Sequence, residues 1–258
     1  MISQPQRPKV IAHRGASGYA PETTLAAYRL ALHMGVDAVE MDVRRLRDGA
    51  IVAFHDPDVN RTTNGQGPIS GFTLEEVSAL DAGSWFNDAY REKARPEYAG
   101  LKVPTLREII ELTKESSVEL FVEIKDSDPR TPDLESAVFS ILRESGMLRR
   151  TRFLSFSAQA IQRIRDLDPS SNTMLLIANS GTDPVEATLQ TGADELGILY
   201  KLATPALLEA ARAKRLPVSV WTVDDAADMA RMIRLGVDRI TTNYPDRLIH
   251  ILERSKGS

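Results

Sequence analysis

The sequence predicts an α/β fold, a TIM (β/α)8 barrel with a β-hairpin after its second strand and a small inserted subdomain behind that hairpin. Three observations carry this. Short β-type runs alternate with longer stretches of helical spacing, the pattern of repeated βα units around a parallel sheet. One Asp-Gly pair separates two adjacent apolar runs, which marks a tight antiparallel turn. A stretch rich in Gly, Asn, Asp and Pro, about 56–104, then follows and is far too long for an ordinary loop.

The β-type runs are Val10–Ala12, Ala38–Val43, Leu120–Ile124, Phe153–Phe156, Thr173–Ile177, Leu196–Leu199, Val218–Val223 and Arg239–Thr242. Helical spacing appears between them, at Leu25, Tyr28 and Leu32, at Leu106, Ile109 and Ile110, at Ile161 and Ile164, and at Met229, Met232 and Ile233. Gly35, Gly146, Gly192 and Gly236 stand where helices should end, just ahead of the next run. Eight units predict a closed barrel rather than an open sheet. Ile51–Phe54 follows Asp48-Gly49 directly, so it is expected to pair antiparallel with Ala38–Val43 rather than to form a barrel strand. The insertion is expected to hold one weak helix near Thr73–Leu80 and to cover one mouth of the barrel. The whole chain, 1–258, then forms a single domain.

Bulk composition narrows the function. With 42% hydrophobic and 26% charged residues the chain has enough apolar material for a real core. A net charge of −4 gives no electrostatic case for a nucleic-acid partner. The absence of cysteine excludes disulfides, thiolate metal sites and a cysteine nucleophile. No apolar run is long enough to span a bilayer, so the expectation is a cytoplasmic protein with no stable membrane insertion.

Function in a parallel barrel gathers at the C-terminal ends of the strands. There the sequence places His13-Arg14-Gly15, Glu40 and Asp42, Glu123 and Lys125, Trp221 and Asn243. Residues two apart on a strand share a face, so Glu40 and Asp42 point together, as do Glu123 and Lys125. An unpaired charge inside a barrel is expensive, which argues against chance placement. Three convergent carboxylates without thiolates suit a hard divalent cation, Mg2+ or Ca2+, with zinc less favoured. Glu40, Asp42 and Glu123 are the candidate ligands; the alternative is that they form ion pairs with Arg14, Arg44 and Lys125. A hairpin centred on Asp48 puts position 55 almost opposite position 42, so His55 is expected beside the cation with His13 arriving from the first strand. Two histidines there suit acid–base chemistry. Arg14 and Lys125 offer a planar fork and a point charge for a phosphate oxygen. Trp221 is either plain core or a surface for the carbon backbone of a polyol. His33 and His250 carry no such context.

These residues resemble a known family, the glycerophosphodiester phosphodiesterases. The matching stretches are AHRGASGYAPETT (12–24), VEMDVRRLRDG (39–49), IVAFHDPDVNRTTNGQG (51–67), VPTLREII (103–110), VEIK (122–125), SVWTVD (219–224) and GVDRITTNYPDRL (236–248), in the family's order over nearly the whole chain. The resemblance implies a TIM barrel and hydrolysis of small glycerophosphodiesters to sn-glycerol 3-phosphate and an alcohol. It implies His13 and His55 as catalytic residues and Glu40, Asp42 and Glu123 as metal ligands. Arg14 and Lys125 match its phosphate contacts, and Trp221 an aromatic near the glycerol. One departure stands out: the family usually has Pro-Glu-Asn-Thr where this chain has Pro21-Glu22-Thr23-Thr24. Threonine cannot reproduce the donor and acceptor of the asparagine amide.

The expected order of roles is His13 as base and His55 as acid, with water or a substrate hydroxyl as nucleophile. Two competing readings remain. One is a phospholipase-like phosphodiesterase acting on lipid head groups, for which Trp85, Phe86 and Tyr90 would form an apolar rim. The other is a non-catalytic barrel that binds a phosphate ligand.

Overall fold

The computed structural model describes residues 7–125, 132–179 and 181–254. In chain order its elements are β1 Lys9–Ala12, α1 Leu25–His33, β2 Ala38–Arg45, β3 Ile51–Ala53, α2 Leu74–Ala79, α3 Ser84–Ala89, α4 Leu106–Thr113, β4 Glu119–Ile124, α5 Leu134–Glu144 and β5 Thr151–Ser155. They continue as α6 Ala158–Leu167, β6 Asn172–Ile177, α7 Pro184–Thr191, β7 Glu195–Leu199, α8 Pro205–Ala213, β8 Val218–Trp221, α9 Ala226–Leu235, β9 Arg239–Thr242 and α10 Pro245–Arg254. The sheet runs β1-β9-β8-β7-β6-β5-β4-β2-β3, and β1 also pairs with β2. That last pairing closes the barrel. All barrel pairings are parallel, and β3 alone hangs antiparallel on β2.

Strand parity divides the side chains into two populations. Val10, Ala12, Val39, Met41, Val43, Leu120, Val122 and Ile124 join the buried layer between strands and helices. Their alternates Ile11, Ala38, Phe121, Leu154, Met174 and Leu176 form a separate apolar plug inside the barrel, against which Trp221 packs. Gly197 is needed at this level, because a Cβ there would stand 2.6 Å from Leu176 Cδ2 and 2.7 Å from the Met174 sulfur. Continuing the inner parity toward the N-terminal ends of the strands gives Glu195, fully buried, within 3.2 Å of Arg152 and 2.8 Å of Arg239. Continuing it toward the C-terminal ends gives Glu40, Asp42 and Glu123. The barrel is therefore apolar at its waist and ionic at both ends, and the two ionic ends face different surroundings.

The hairpin register is one residue from the expected one. Observed pairs are Val43↔Ala53, Arg44↔Val52 and Arg45↔Ile51, and the Asp42 carbonyl accepts from Phe54 N at 2.9 Å. Phe54, not His55, lies opposite Asp42. The three residues Arg47, Asp48 and Gly49 form the turn, with Leu46 N donating to the Ala50 carbonyl, and a turn centred on Asp48 pairs 42 with 54. A one-residue shift would normally send a side chain to the wrong face. His55 escapes this because β3 ends at Ala53 and the Arg44 guanidinium grips the His55 carbonyl through Nε at 2.9 Å and Nη2 at 2.7 Å.

The insertion has more structure than its sequence announces. The weak helix near Thr73–Leu80 is α2, closed by a capping box in which Thr73 and Glu76 exchange side-chain and backbone bonds. The unexpected second helix, α3, begins where the Asp81 carboxylate accepts from Gly83 N and Ser84 N. Leu46, Val52, Phe54, Val59, Ile69, Val77, Ala82 and Val103 make a core shared by the hairpin and the insertion. Phe86 and Tyr98 dock the other side onto Ala20 and Ala27. The insertion is thus braced against both the hairpin and the first βα connection.

Candidate active site

His13 follows β1 directly and enters a tight turn that requires glycine at position 15. Arg14 (φ 55°) and Gly15 (φ 80°) are both left-handed, and a Cβ on Gly15 would lie 2.6 Å from the Ala27 carbonyl carbon. The turn aims Arg14 N at Glu40 Oε2, 2.9 Å away. Arg14 Nε lies 3.0 Å from Asp42 Oδ2, and Nη1 lies 2.9 Å from Glu22 Oε1. Lys125 Nζ, just past β4, reaches Asp42 Oδ1 at 2.8 Å and Glu123 Oε1 at 2.5 Å. The ion pairs foreseen as an alternative to a metal site are therefore present for Arg14 and Lys125. Arg44 is engaged instead with His55.

Those pairs coexist with a cluster suited to a cation. Among the described residues, Glu40, Asp42 and Glu123 each offer an oxygen within 4.8 Å of the others, and all three are buried. Burial, then the neighbouring Asp42 charge, raises Glu40 far above the ordinary carboxylate range and pushes Glu123 up to about 7. Burial works in the same sense on Asp42, but Arg14, Lys125 and His55 outweigh it and hold that carboxyl well below the usual range. Neither Asp42 oxygen has a well-aligned hydrogen bond despite being buried. Once all three are ionised, the carboxylates carry more negative charge than Arg14 and Lys125 balance, in hard oxygen donors with lone pairs to spare. The cluster fits a divalent cation.

Both imidazoles are tethered through Nδ1. His13 Nδ1 lies 2.7 Å from Asn243 Oδ1, and Asn243 is itself held by Asp224, which accepts from Asn243 Nδ2 at 2.6 Å. His55 Nδ1 lies 2.6 Å from Asp56 Oδ1. Nε2 of each ring is then left for chemistry. Burial, reinforced by Arg14, lowers His13 to about 4. Burial lowers His55 as well, against the raising effect of Asp42.

One cavity of about 140 Å³ is lined by His13, Arg14, Glu40, His55, Glu123 and Lys125 on its polar side. Its other walls include Leu154, Phe156, Met174, Leu176 and Trp221, the last two aromatics meeting edge to face at 5.4 Å. Every site residue expected from the sequence borders this cavity except Asp42, which lies buried behind it. A second cavity of about 150 Å³ shares His13 and Arg14 and opens toward the insertion, with Ser17, Trp85, Tyr90, Lys93 and Tyr244 on its walls.

Some functional neighbours went unread in the sequence. Glu22, Asp56 and Arg61 form a bridge: Arg61 Nη2 is 2.7 Å from Glu22 Oε1 and Arg61 Nε is 2.6 Å from Asp56 Oδ2. This bridge ties together the partners of Arg14 and His55. All three lie inside the quoted motif stretches, yet nothing in their spacing tells that they meet. Asp224 and Ser17, which flank Asn243, were missed for the same reason.

Fold and site together define a TIM-barrel phosphodiesterase. The model of the Glycerophosphoryl diester phosphodiesterase family matches residues 13–247, and the chain belongs to that family. A glycerophosphodiester phosphodiesterase of Bacillus subtilis (strain 168) is 36% identical, the alignment covering 98% of this chain and 89% of the relative. The crystal structure of glycerophosphodiester phosphodiesterase from Agrobacterium tumefaciens str. C58 superposes with a TM-score of 0.79 at 32% identity, covering 93% of this chain and 98% of that one. An Oleispira antarctica phosphodiesterase, solved in complex with the product sn-glycerol-3-phosphate, superposes with a TM-score of 0.86 at 29% identity, covering 95% and 97%. The chain is an enzyme of phosphoric diester hydrolysis acting on glycerophosphodiesters. No helix among the described residues is long and apolar enough to cross a membrane.

Proposed function

We propose that the chain hydrolyses small glycerophosphodiesters to sn-glycerol 3-phosphate and an alcohol at this cavity, with Glu40, Asp42 and Glu123 holding Mg2+ or Ca2+. The convergence of His13, His55, Arg14, Lys125 and the three carboxylates carries the reading. A bound divalent ion supplies Lewis-acid polarisation of a non-bridging phosphoryl oxygen. Arg14 and Lys125, fixed by Asp42, bind the phosphate and stabilise charge as it develops. Trp221 and Phe156 present aromatic surface to the glycerol carbons.

Placement of the cavities favours the opposite order of histidine roles from the one expected from the sequence, His13 as base and His55 as acid. His13 borders both cavities, whereas His55 borders only the one with the glycerol surface. A phosphate at Arg14 therefore has its departing alcohol on the His13 side and its nucleophile on the His55 side. His55, backed by the Asp56 carboxylate, takes the proton from the nucleophile. His13 gives one to the alcohol oxygen. Its low pKa reflects burial and then Arg14, and an anionic phosphate bound at Arg14 offsets that second cause.

The lipid-head-group alternative gains little support from the insertion. Phe86 is buried and Trp85 Nε1 donates to the Ala82 carbonyl, which leaves Tyr90, packed on Phe86 at 4.9 Å, as the one exposed member of the three rather than part of an apolar rim. A coupled assay for released glycerol 3-phosphate tests the proposal, with glycerophosphocholine and glycerophosphoglycerol as substrates. EDTA should abolish release, and Mg2+ or Ca2+ should restore it. Undiminished turnover in EDTA would overturn the metal assignment, and no turnover of any diester would overturn the function.

A further inference from the structure

We infer that Lys93 is a specificity-determining residue that biases the alcohol half of the substrate away from quaternary ammonium head groups and toward polyols. The inference rests on the function proposed above and assigns the second cavity to the departing alcohol.

The cavity beyond His13 and Arg14 has an unusual wall. Lys93 Nζ stands 5.2 Å from the ring centre of Tyr244, 5.5 Å from that of Tyr90 and 5.9 Å from that of Tyr19. It also lies 3.3 Å from the Tyr244 hydroxyl. Tyr19 and Tyr244 meet edge to face at 5.3 Å, and Trp85 lies 6.4 Å from Tyr90, so the rings are mutually braced. Such a cluster of aromatic faces is the usual receptor for an ammonium ligand. Here the ammonium comes from the chain itself.

Two consequences follow from charge. A trimethylammonium group entering the cavity finds the ring faces already turned to Lys93 and meets a cation of its own sign. It also finds no free counter-charge: the one carboxylate on this wall, Glu22, is paired with Arg14 and Arg61. Among the described residues no carboxylate forms an ion pair with Lys93. A hydroxylated alcohol instead finds donors in Lys93 Nζ and the Tyr244 hydroxyl and an acceptor in Ser17 Oγ, whose own proton goes to His13 O or Asn243 Oδ1, with Trp85 beside its carbon skeleton.

The test compares kcat/KM for glycerophosphoglycerol and glycerophosphocholine in the wild type, Lys93→Met and Lys93→Arg, all in the same metal-loaded buffer. Wild type should favour glycerophosphoglycerol. Lys93→Met, which keeps the length and removes the charge, should shift the ratio toward glycerophosphocholine by roughly tenfold, mostly through KM for the choline ester. Lys93→Arg should keep the wild-type ratio. A ratio unchanged in Lys93→Met, or a wild type that prefers the choline ester, overturns the inference while leaving the diesterase reading intact. Failure of the wild type to cleave either ester instead overturns that reading, and the inference with it.

Discussion

His13 Nδ1 and Asn243 Oδ1 lie 2.7 Å apart, although the two residues are separated by almost the entire barrel sequence. Asp224 accepts from both Asn243 N and Nδ2, so the amide is oriented with its oxygen toward the imidazole. The ring must then carry its proton on Nδ1 when neutral, with Nε2 free. Replacing Asn243 with Leu should lower kcat by about tenfold or more with little change in KM, as expected when ring orientation is lost. Asn243→Asp places a carboxylate there and should move the His13 titration, followed by NMR, upward from about 4. An unchanged titration in that variant would show that the contact does not govern the ring.

The assignment of His13 to the alcohol side makes a prediction about leaving groups. His13→Ala and His55→Ala should each lose roughly a hundredfold in kcat with a natural diester. A diester of 4-nitrophenol expels 4-nitrophenolate, a stable anion that needs no proton as the P–O bond breaks. With it, His13→Ala should regain most of its rate while His55→Ala stays impaired. Rescue of the His55 variant alone would restore the opposite order of roles.

Cation binding should depend on pH with a definite sign. In the cation-free protein burial and Asp42 raise Glu123 from 4.5 to about 7, and Glu40 is raised as well. Between those values the folded chain holds more protons than the unfolded one, so its stability falls as pH rises through that window. A cation needs the carboxylates ionised, so its stabilising effect grows in the same direction. Differential scanning fluorimetry should record a larger Tm increase from saturating Mg2+ or Ca2+ at about pH 8 than at about pH 5. An equal or smaller increase at the higher pH would count against these ligands.

The departure at Thr23 falls on a strained backbone position. Thr23 adopts φ 56°, a left-handed conformation that β-branched residues resist and asparagine accepts more readily. Its N–H donates to the Arg14 carbonyl at 3.1 Å, so the strained residue helps hold the catalytic turn. Thr23→Asn should raise stability by about 1 kcal/mol, read as a higher midpoint in urea with an unchanged slope. A lower midpoint would mean that packing around the threonine methyl outweighs the strain.

Much of the site was legible because a strand end is a local address. Glu40 and Asp42 sit two apart on one strand, Glu123 and Lys125 sit at the end of another, and parity alone puts each pair on a common face. His55 was legible in position but not in route: the register is shifted by one, and Arg44 corrects what the hairpin alone would misplace. The helix Ser84–Ala89 escaped notice because six residues are too few for a clear period, and its start depends on Asp81 rather than on an apolar pattern.

The alternation of strands and helices, the hairpin, and the kinds of residue at the strand ends are written in the amino-acid order, since these depend on neighbours a few positions apart. Which groups touch is set by the folded arrangement: Asn243 with His13, Arg61 between Glu22 and Asp56, Lys93 over three tyrosines. The decisive ones, Asn243 with His13, Arg61 with Glu22 and Lys93 with Tyr19 and Tyr244, join segments far apart in the chain. Their distances and charges exist only once the barrel has closed.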